Sequence, residues 1–205
     1  MSVVINIGPN FAGSFTEIPE RKDQFSSQSS TYIYAKFQEL GEIAQTHLKP
    51  IVIGIASGAI LFCTSVSIVL TFHYFGIDPV MAPGYEEFIP VNLFYVSVVG
   101  HILEEFAFRG TFQDVFKKIG EAILPDIDVP LFSNRKIKLA VLIAVIANSI
   151  FFGLLHFFGG GIIQVCTATI GGLVLGTMKE TQGMSSSISA HITNNSIAVF
   201  FFLIG

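Results

Sequence analysis

The sequence has little charge, few cysteines and no tryptophan. Only 13% of its 205 residues are charged, whereas 51% are hydrophobic and 21 are phenylalanine. The mean hydropathy of +0.66 lies far above that of soluble globular domains. A soluble core has no room for so much apolar surface, so the composition excludes an ordinary soluble domain and predicts an integral membrane protein.

Other classes are excluded by what is missing. The net charge is −4 and no basic patch is interleaved with aromatic residues, so nucleic acid is not an expected partner. Cys63 and Cys166 both lie in apolar runs, where a buried, reduced thiol is more common than a disulfide or a metal ligand. The N-terminus lacks the charged and apolar regions of a removable signal peptide, so we expect internal segments to direct membrane insertion.

Two regions differ in polarity. Residues 1–49 are polar and Ser-rich, and their first thirty or so positions are predicted to form a flexible tail. Residues 32–47 then bring apolar side chains to one face at helical spacing. This pattern predicts an amphipathic helix on the cytoplasmic membrane surface, with a partner-docking helix as the alternative. The second region, residues 50–205, is the predicted membrane domain.

Long apolar runs in this second region predict about five spanning helices. The predicted spans cover residues 51–75, 88–112, 139–158, 162–178 and 186–204. The first contains no Asp, Glu, Lys or Arg and exceeds the roughly 20 residues that cross the hydrocarbon core. Gly159, Gly160 and Gly161 separate the third span from the fourth. The predicted fold is therefore an all-α, polytopic membrane helical bundle with an N-terminal amphipathic helix.

The distribution of basic residues predicts the orientation. Lys or Arg residues occur before the first span, between the second and third, and after the fourth, where Lys179 is the basic residue, but are absent from the other connections. Cytoplasmic loops collect these residues. The alternation therefore predicts a cytoplasmic N-terminus and a C-terminus on the far side of the membrane.

Five ionisable residues lie at predicted membrane depth: Glu104, Glu105, Arg109, His156 and His191. Each costs about 2.5–3.5 kcal/mol or more there, which indicates function by default. Glu105 and Arg109 are four residues apart and are predicted to form an ion pair within one helix. Glu104 is turned by about 100° from Glu105, so it is predicted to be a free carboxylate able to act as a general base.

Histidine and asparagine complete a possible hydrolytic site. His156 follows Phe152 by one turn, so the aromatic ring is expected to orient the imidazole. His191 and Asn195 are four apart and point to the same side of the last span, where two donors suit a developing oxyanion. A base, a water-orienting imidazole and an oxyanion site are sufficient for amide hydrolysis without a nucleophilic Ser or Cys.

Three other interpretations remain open. In the first, His101, Glu104, His156 and His191 bind zinc. Their spacing differs from that of the usual zinc-protease helix. We therefore expect no required cofactor. A small transporter is expected to contain inverted repeats, and the two halves show no internal similarity. A non-catalytic scaffold or immunity protein is the third alternative.

Three ordered motifs carry a family resemblance. The strings Glu104-Glu105-Phe106-Ala107-Phe108-Arg109, Phe152-Gly153-Leu154-Leu155-His156 and His191-Ile192-Thr193-Asn194-Asn195 resemble the EExxxR, FxxxH and HxxxN motifs of the CPBP family. This family includes type II CAAX prenyl endopeptidases and bacteriocin-processing and self-immunity proteins. The similarity covers residues 88–205, and three motifs in separate runs are far more specific than one.

The resemblance implies a role for each matching residue. Glu104 and His156 are expected to activate water, and His191 with Asn195 to stabilise the oxyanion. Glu105, Arg109 and Phe152 are expected to support the site. The expected partners are the lipid bilayer and a membrane-associated or lipidated peptide or protein substrate. We expect a multi-pass protein of a prokaryotic cytoplasmic membrane.

Helix length sets one condition on this site. At 1.5 Å per residue, Glu104 and His191 lie roughly 10 Å from the cytoplasmic ends of their spans, but His156 lies about 25 Å along its own. The site assembles only if that helix starts deeper, tilts strongly, or stops short beside a water-filled cavity. We predict the cavity.

Overall fold

The computed structural model describes residues 22–78, 95–131 and 136–204. These residues belong to two compact units, Met1–Glu42 and Ile43–Gly205. The start of the predicted tail, residues 1–21, the start of the second predicted span, residues 88–94, and Arg135 lie outside the described ranges.

The first unit contains helix α1, Lys22–Ile43, apart from its last residue. The flexible-tail prediction is therefore wrong for residues 22–30. A physical reason is that the stretch begins with long-chain residues, which favour helix. Ile33, Phe37 and Leu40 are exposed, and the membrane-surface location of this helix stays a prediction.

The second unit contains five further helices in its described residues. They are α2 (Lys49–Tyr74), α3 (residues 95–123), α4 (Leu139–Leu155), α5 (Phe157–Gln182) and α6 (Met184–Ile204). The prediction of an all-α membrane fold is confirmed. Two stretches, Thr31–Tyr74 and Phe157–Gln182, are long and apolar enough to cross a membrane, and α4 is apolar but shorter. Both cysteines are free, but Cys63 is exposed and not buried as predicted, because it lies on the outer face of α2.

Helix α3 is longer than its apolar run predicts. It continues through Phe112 into the amphipathic segment Gln113–Ile123, and wide, π-helical turns occur at Tyr95–Gly100 and Phe106–Phe112. The segment after Phe112 contains charged residues, so the apolar run does not show that the helix continues. The predicted C-terminal boundary at Phe112 was therefore too early. Such wide turns in helices are frequent at functional sites.

A short hairpin connects α3 to α4. Strands β1, Asp128–Pro130, and β2, Lys136–Lys138, pair antiparallel with Asp128 opposite Lys138. Lys138 donates hydrogen bonds to Asp126 and Asp128, and these raise its pKa. The hydrogen bond from Lys138 also lowers the pKa of Asp128. The hairpin is a small addition to the predicted all-α fold, within the stretch predicted only as polar.

Small residues bring the helices close together. A Cβ added at Gly54 of α2 would lie 2.7 Å from Ser189 Cβ of α6, and one added at Gly58 would lie 2.7 Å from Thr193 Cβ. In the same way a Cβ at Gly172 of α5 would lie 3.0 Å from Ser149 of α4. Close backbone approach of this kind is common between helices in membranes, and it fixes the helix that carries His191 and Asn195.

Helix α4 stops immediately before His156. The backbone leaves helical geometry again at Gly160 and at Gly161, whose φ of 64° favours glycine. The glycine hinge prediction is therefore confirmed. With 17 residues, α4 is about 25 Å long and does not reach the roughly 30 Å of a hydrocarbon core. Sequence analysis gave three ways to bring His156 to the site: a helix that starts deeper, tilts strongly, or stops short. The structure shows a helix that stops short.

Candidate active site

Glu105 is the centre of a buried hydrogen-bond network. Its side chain is completely buried, and its two oxygens face different residues of α6. Oε1 lies 2.9 Å from His191 Nδ1, and Oε2 accepts a hydrogen bond from Ser187 Oγ. Sequence spacing predicted only the local partner Arg109, so the link to α6 is a new finding.

Arg109 pairs with Glu105 as predicted. Its Nε lies 3.7 Å from Glu105 Oε2, and both side chains are fully buried. None of its guanidinium nitrogens makes a hydrogen bond to the described part of the chain. Its Cζ lies 4.9 Å from the centre of the Phe152 ring, a position for a cation–π interaction. The cation is therefore held by one carboxylate and one aromatic face.

Glu104 points elsewhere than Glu105. Its side chain is 38% exposed, and its Oε2 lies 3.7 Å from His191 Nε2. This oxygen accepts no hydrogen bond from any residue that the structure describes. Adjacent carboxylates thus flank the two nitrogens of one imidazole, Glu105 at Nδ1 and Glu104 at Nε2. The Glu104 side chain is partly exposed, but its Oε2 is itself buried.

The Asn195 carboxamide is fixed on both sides. Its Nδ2 donates to His101 Nε2 at 2.6 Å, and its Oδ1 accepts from Asn194 Nδ2 at 2.8 Å. One amide hydrogen of Asn195 is left for another acceptor. The rings of His101 and His191 lie 4.5 Å apart, so the Asn195 amide is at the same end of the site as His191.

His156 is oriented by the helix that precedes it. Its Nδ1 lies 2.7 Å from the Phe152 carbonyl oxygen. A carbonyl only accepts, so Nδ1 carries the hydrogen and the neutral ring has its lone pair on Nε2. The Phe152 ring lies 4.4 Å from that of His156 and 6.0 Å from that of His191. Phe152 therefore contacts both imidazoles, as well as Arg109.

A possible metal cluster contains three of the four residues predicted for zinc. Ligand atoms of His101, Glu104 and His191 lie within 4.8 Å of one another, a donor set of two imidazoles and a carboxylate that zinc accepts. His156 is not in this group of described residues. The His101 lone pair on Nε2 already accepts a hydrogen from Asn195, so a metal bound through that atom would displace this contact.

A second polar network ties α3 to α5 away from Glu104. Gln113 Nε2 donates to Gly176 O at 3.2 Å and to Glu180 Oε1 at 3.0 Å, and Glu180 also pairs with Lys117. Sequence analysis missed Gln113 and Ser187. The available signal was their polarity: Gln113 follows Arg109 by one turn, and Ser187 precedes His191 by one turn.

Comparison with known families agrees with the motifs. The family model for type II CAAX prenyl endopeptidases, Rce1-like, matches residues 86–197, which is more than half of the 205 residues. The matched segment contains every residue of the candidate site, from His101 to Asn195. No curated protein and no solved structure matches the chain significantly.

Proposed function

Because the chain belongs to the type II CAAX prenyl endopeptidase Rce1-like family, we propose that it is a glutamate-dependent intramembrane endopeptidase. The family supports a CAAX-type, protease-like role in the membrane. The proposed substrate is a peptide bond in a membrane-associated or lipidated peptide or protein. The main support is the partly exposed Glu104 side chain, whose Oε2 lies 3.7 Å from the His191 imidazole that Glu105 holds.

Glu104 is the proposed general base. A water molecule beside the carboxylate gives a proton to it while the water oxygen forms a bond to the carbonyl carbon of the substrate. The π electrons of that carbonyl move onto its oxygen. The lone pair on His156 Nε2 is suited to accept the second hydrogen of the water, because Nδ1 is committed to the Phe152 carbonyl.

His191 and Asn195 are the proposed oxyanion donors. With a proton on each nitrogen, His191 donates from Nδ1 to Glu105 and from Nε2 towards the substrate oxygen. The formal charges of the four groups then sum to zero, since the Glu104 and Glu105 carboxylates offset the Arg109 guanidinium and the His191 imidazolium. The remaining amide hydrogen of Asn195 is the second donor. Net neutrality lowers the cost of holding these groups in the membrane.

Collapse of the intermediate completes the reaction. The carbon–nitrogen bond breaks, the oxyanion electrons re-form the carbonyl, and the proton on Glu104 passes to the leaving nitrogen. The products are a carboxylic acid and an amine, which become a carboxylate and an ammonium ion when the acid gives its proton to the amine, and Glu104 returns to its starting form. No step requires a metal, so we propose that none is needed.

The proposed location is a prokaryotic cytoplasmic membrane with the N-terminus in the cytoplasm. Described basic residues support this orientation, since Lys117 and Lys118 follow the second span and Lys179 ends the fourth. In this orientation the site opens towards the cytoplasmic leaflet.

The test is cleavage by purified protein in lipid nanodiscs. Lipidated and unlipidated versions of one fluorogenic peptide are compared, with Glu104→Gln as the variant and Glu121→Gln, an exposed position of α3, as the matched control. We expect Glu104→Gln to lower kcat by about 10²–10⁴-fold and Glu121→Gln to leave it unchanged. Full activity of Glu104→Gln would refute the proposed base. If the wild type cuts neither peptide, the scaffold or immunity interpretation is favoured.

A further inference from the structure

The structure contains a second contact to Glu105 that no motif includes. Ser187 is completely buried, and its hydroxyl donates a hydrogen bond to Glu105 Oε2. The same Oγ lies 3.0 Å from Leu175 O. A hydroxyl has one hydrogen, and the carboxylate is the stronger acceptor because it is charged. Ser187 thus links α6, α5 and the buried carboxylate of α3.

We propose that Ser187 is a positioning residue for His191, acting through Glu105; this role rests on the proposed function. Ser187 and His191 are four apart on α6 and contact opposite oxygens of one carboxylate. The hydroxyl therefore fixes the rotation of the carboxyl group. That rotation aims Oε1 at His191 Nδ1 and keeps Nε2 facing the reaction.

Arg109 does not replace this contact. Its nearest nitrogen is 3.7 Å from Glu105 Oε2, beyond hydrogen-bond distance. Without the Ser187 hydroxyl, Oε2 is still attracted by the Arg109 guanidinium, but it accepts no hydrogen bond from the described residues. Removal of the partner behind a metal-binding histidine typically costs about 10–100-fold in activity, and we expect the same range for His191.

The neighbouring serine is a natural control. Ser186 is also completely buried, but its hydroxyl has no hydrogen-bond partner among the described residues. Removal of either hydroxyl leaves a similar small defect in α6. Only the Ser187 change removes a contact to Glu105.

The first experiment compares hydroxyl and methyl at one position. Ser187→Thr and Ser187→Val add side chains of nearly equal volume, so any steric cost is shared, and only Thr keeps the hydroxyl. We expect Ser187→Val and Ser187→Ala to lower kcat by about 10–100-fold with little change in KM, as for other supporting residues. We expect Ser187→Thr and Ser186→Ala to stay close to wild type. Equal kcat for Ser187→Thr and Ser187→Val would overturn the proposal.

The second experiment does not need catalysis. Ring ¹⁵N chemical shifts of His191, assigned by their loss in His191→Gln, report whether Nδ1 carries a proton. In the wild type we expect Nδ1 to carry the hydrogen, because the Glu105 carboxylate 2.9 Å away only accepts. In Ser187→Val we expect part of the population to lose it, while Ser186→Ala behaves as wild type. Unchanged shifts in Ser187→Val would overturn the proposal even if no peptide is cut.

Discussion

Glu105 and His191 are 86 positions apart in the chain, yet Oε1 of the first lies 2.9 Å from Nδ1 of the second in the protein interior. This contact joins α3 to α6 and determines which nitrogen of His191 faces Glu104. The two consecutive glutamates thus have different surroundings, since one is fully buried and the other is reached by solvent.

Removing Arg109 is expected to destabilise the protein strongly. Arg109→Met leaves Glu105 buried with less compensation, and loss of one partner of a buried pair typically costs about 3–5 kcal/mol. In the double variant Arg109→Met with Glu105→Gln we expect a smaller loss than the sum of the single changes. The measurement is the free energy of unfolding in detergent with denaturant. Additive losses would contradict the pairing.

Asn195 and Asn194 are expected to differ in their effect on catalysis. Asn195→Ala removes a proposed oxyanion donor, which typically lowers kcat by about 10²–10³-fold. Asn194→Ala removes only the hydrogen bond that orients the Asn195 amide, so its effect should be smaller. Steady-state kinetics on one peptide decide this, and equal effects of the two changes would argue against Asn195 as the donor.

Cleavage is expected to survive chelation and to be inhibited by added zinc. Zinc bound by His101, Glu104 and His191 would occupy the base and displace the Asn195 contact to His101. We expect His101→Gln to reduce zinc inhibition, since it removes one ligand. Activity and equilibrium zinc binding are measured together. Loss of activity with a chelator, restored by zinc, would instead favour the metalloprotease interpretation.

Two glycines are expected to respond differently to one methyl group. In Gly58→Ala the new Cβ meets Ala190 O and Thr193 Cβ, whereas at Gly171 it meets nothing within 4 Å. Overpacking typically costs about 1–3 kcal/mol, so Gly58→Ala should lower the unfolding free energy. Gly171→Ala should leave it unchanged or raise it. Equal stabilities would show that α2 and α6 are not packed this closely.

Cysteine labelling tests the orientation. In a background of Cys63→Ser with Cys166→Ser, single cysteines are introduced as Lys118→Cys or Ile77→Cys, both at exposed positions. We expect an impermeant thiol reagent added to intact cells to label only Ile77→Cys, because basic segments stay in the cytoplasm. Labelling of Lys118→Cys alone would reverse the proposed topology.

Much of the site was predictable because helical spacing is local. The pair of Glu105 with Arg109, the separate direction of Glu104 and the glycine hinge all follow from period and composition. The contacts of Glu105 with Ser187, and of Asn195 with His101, join residues 82 and 94 positions apart. Spacing within one run carries no information on such partners, which depend on how α3 and α6 pack.

The hairpin and the extension of α3 were missed for another reason. Both lie in polar sequence, where hydrophobic runs give no boundary. Ser187 was overlooked because a serine in a membrane helix is ordinary by composition. Its importance depends on its carboxylate neighbour, which only the packing of α6 reveals.

The shortness of α4 has a consequence for the surrounding lipid. A helix about 5 Å shorter than the hydrocarbon layer is matched by local thinning of that layer. Headgroups and interfacial water would then descend towards His156 at the end of this helix. The peptide of a lipidated substrate would then reach water beside His156 while its acyl or prenyl chain stayed among the lipid chains of the bilayer.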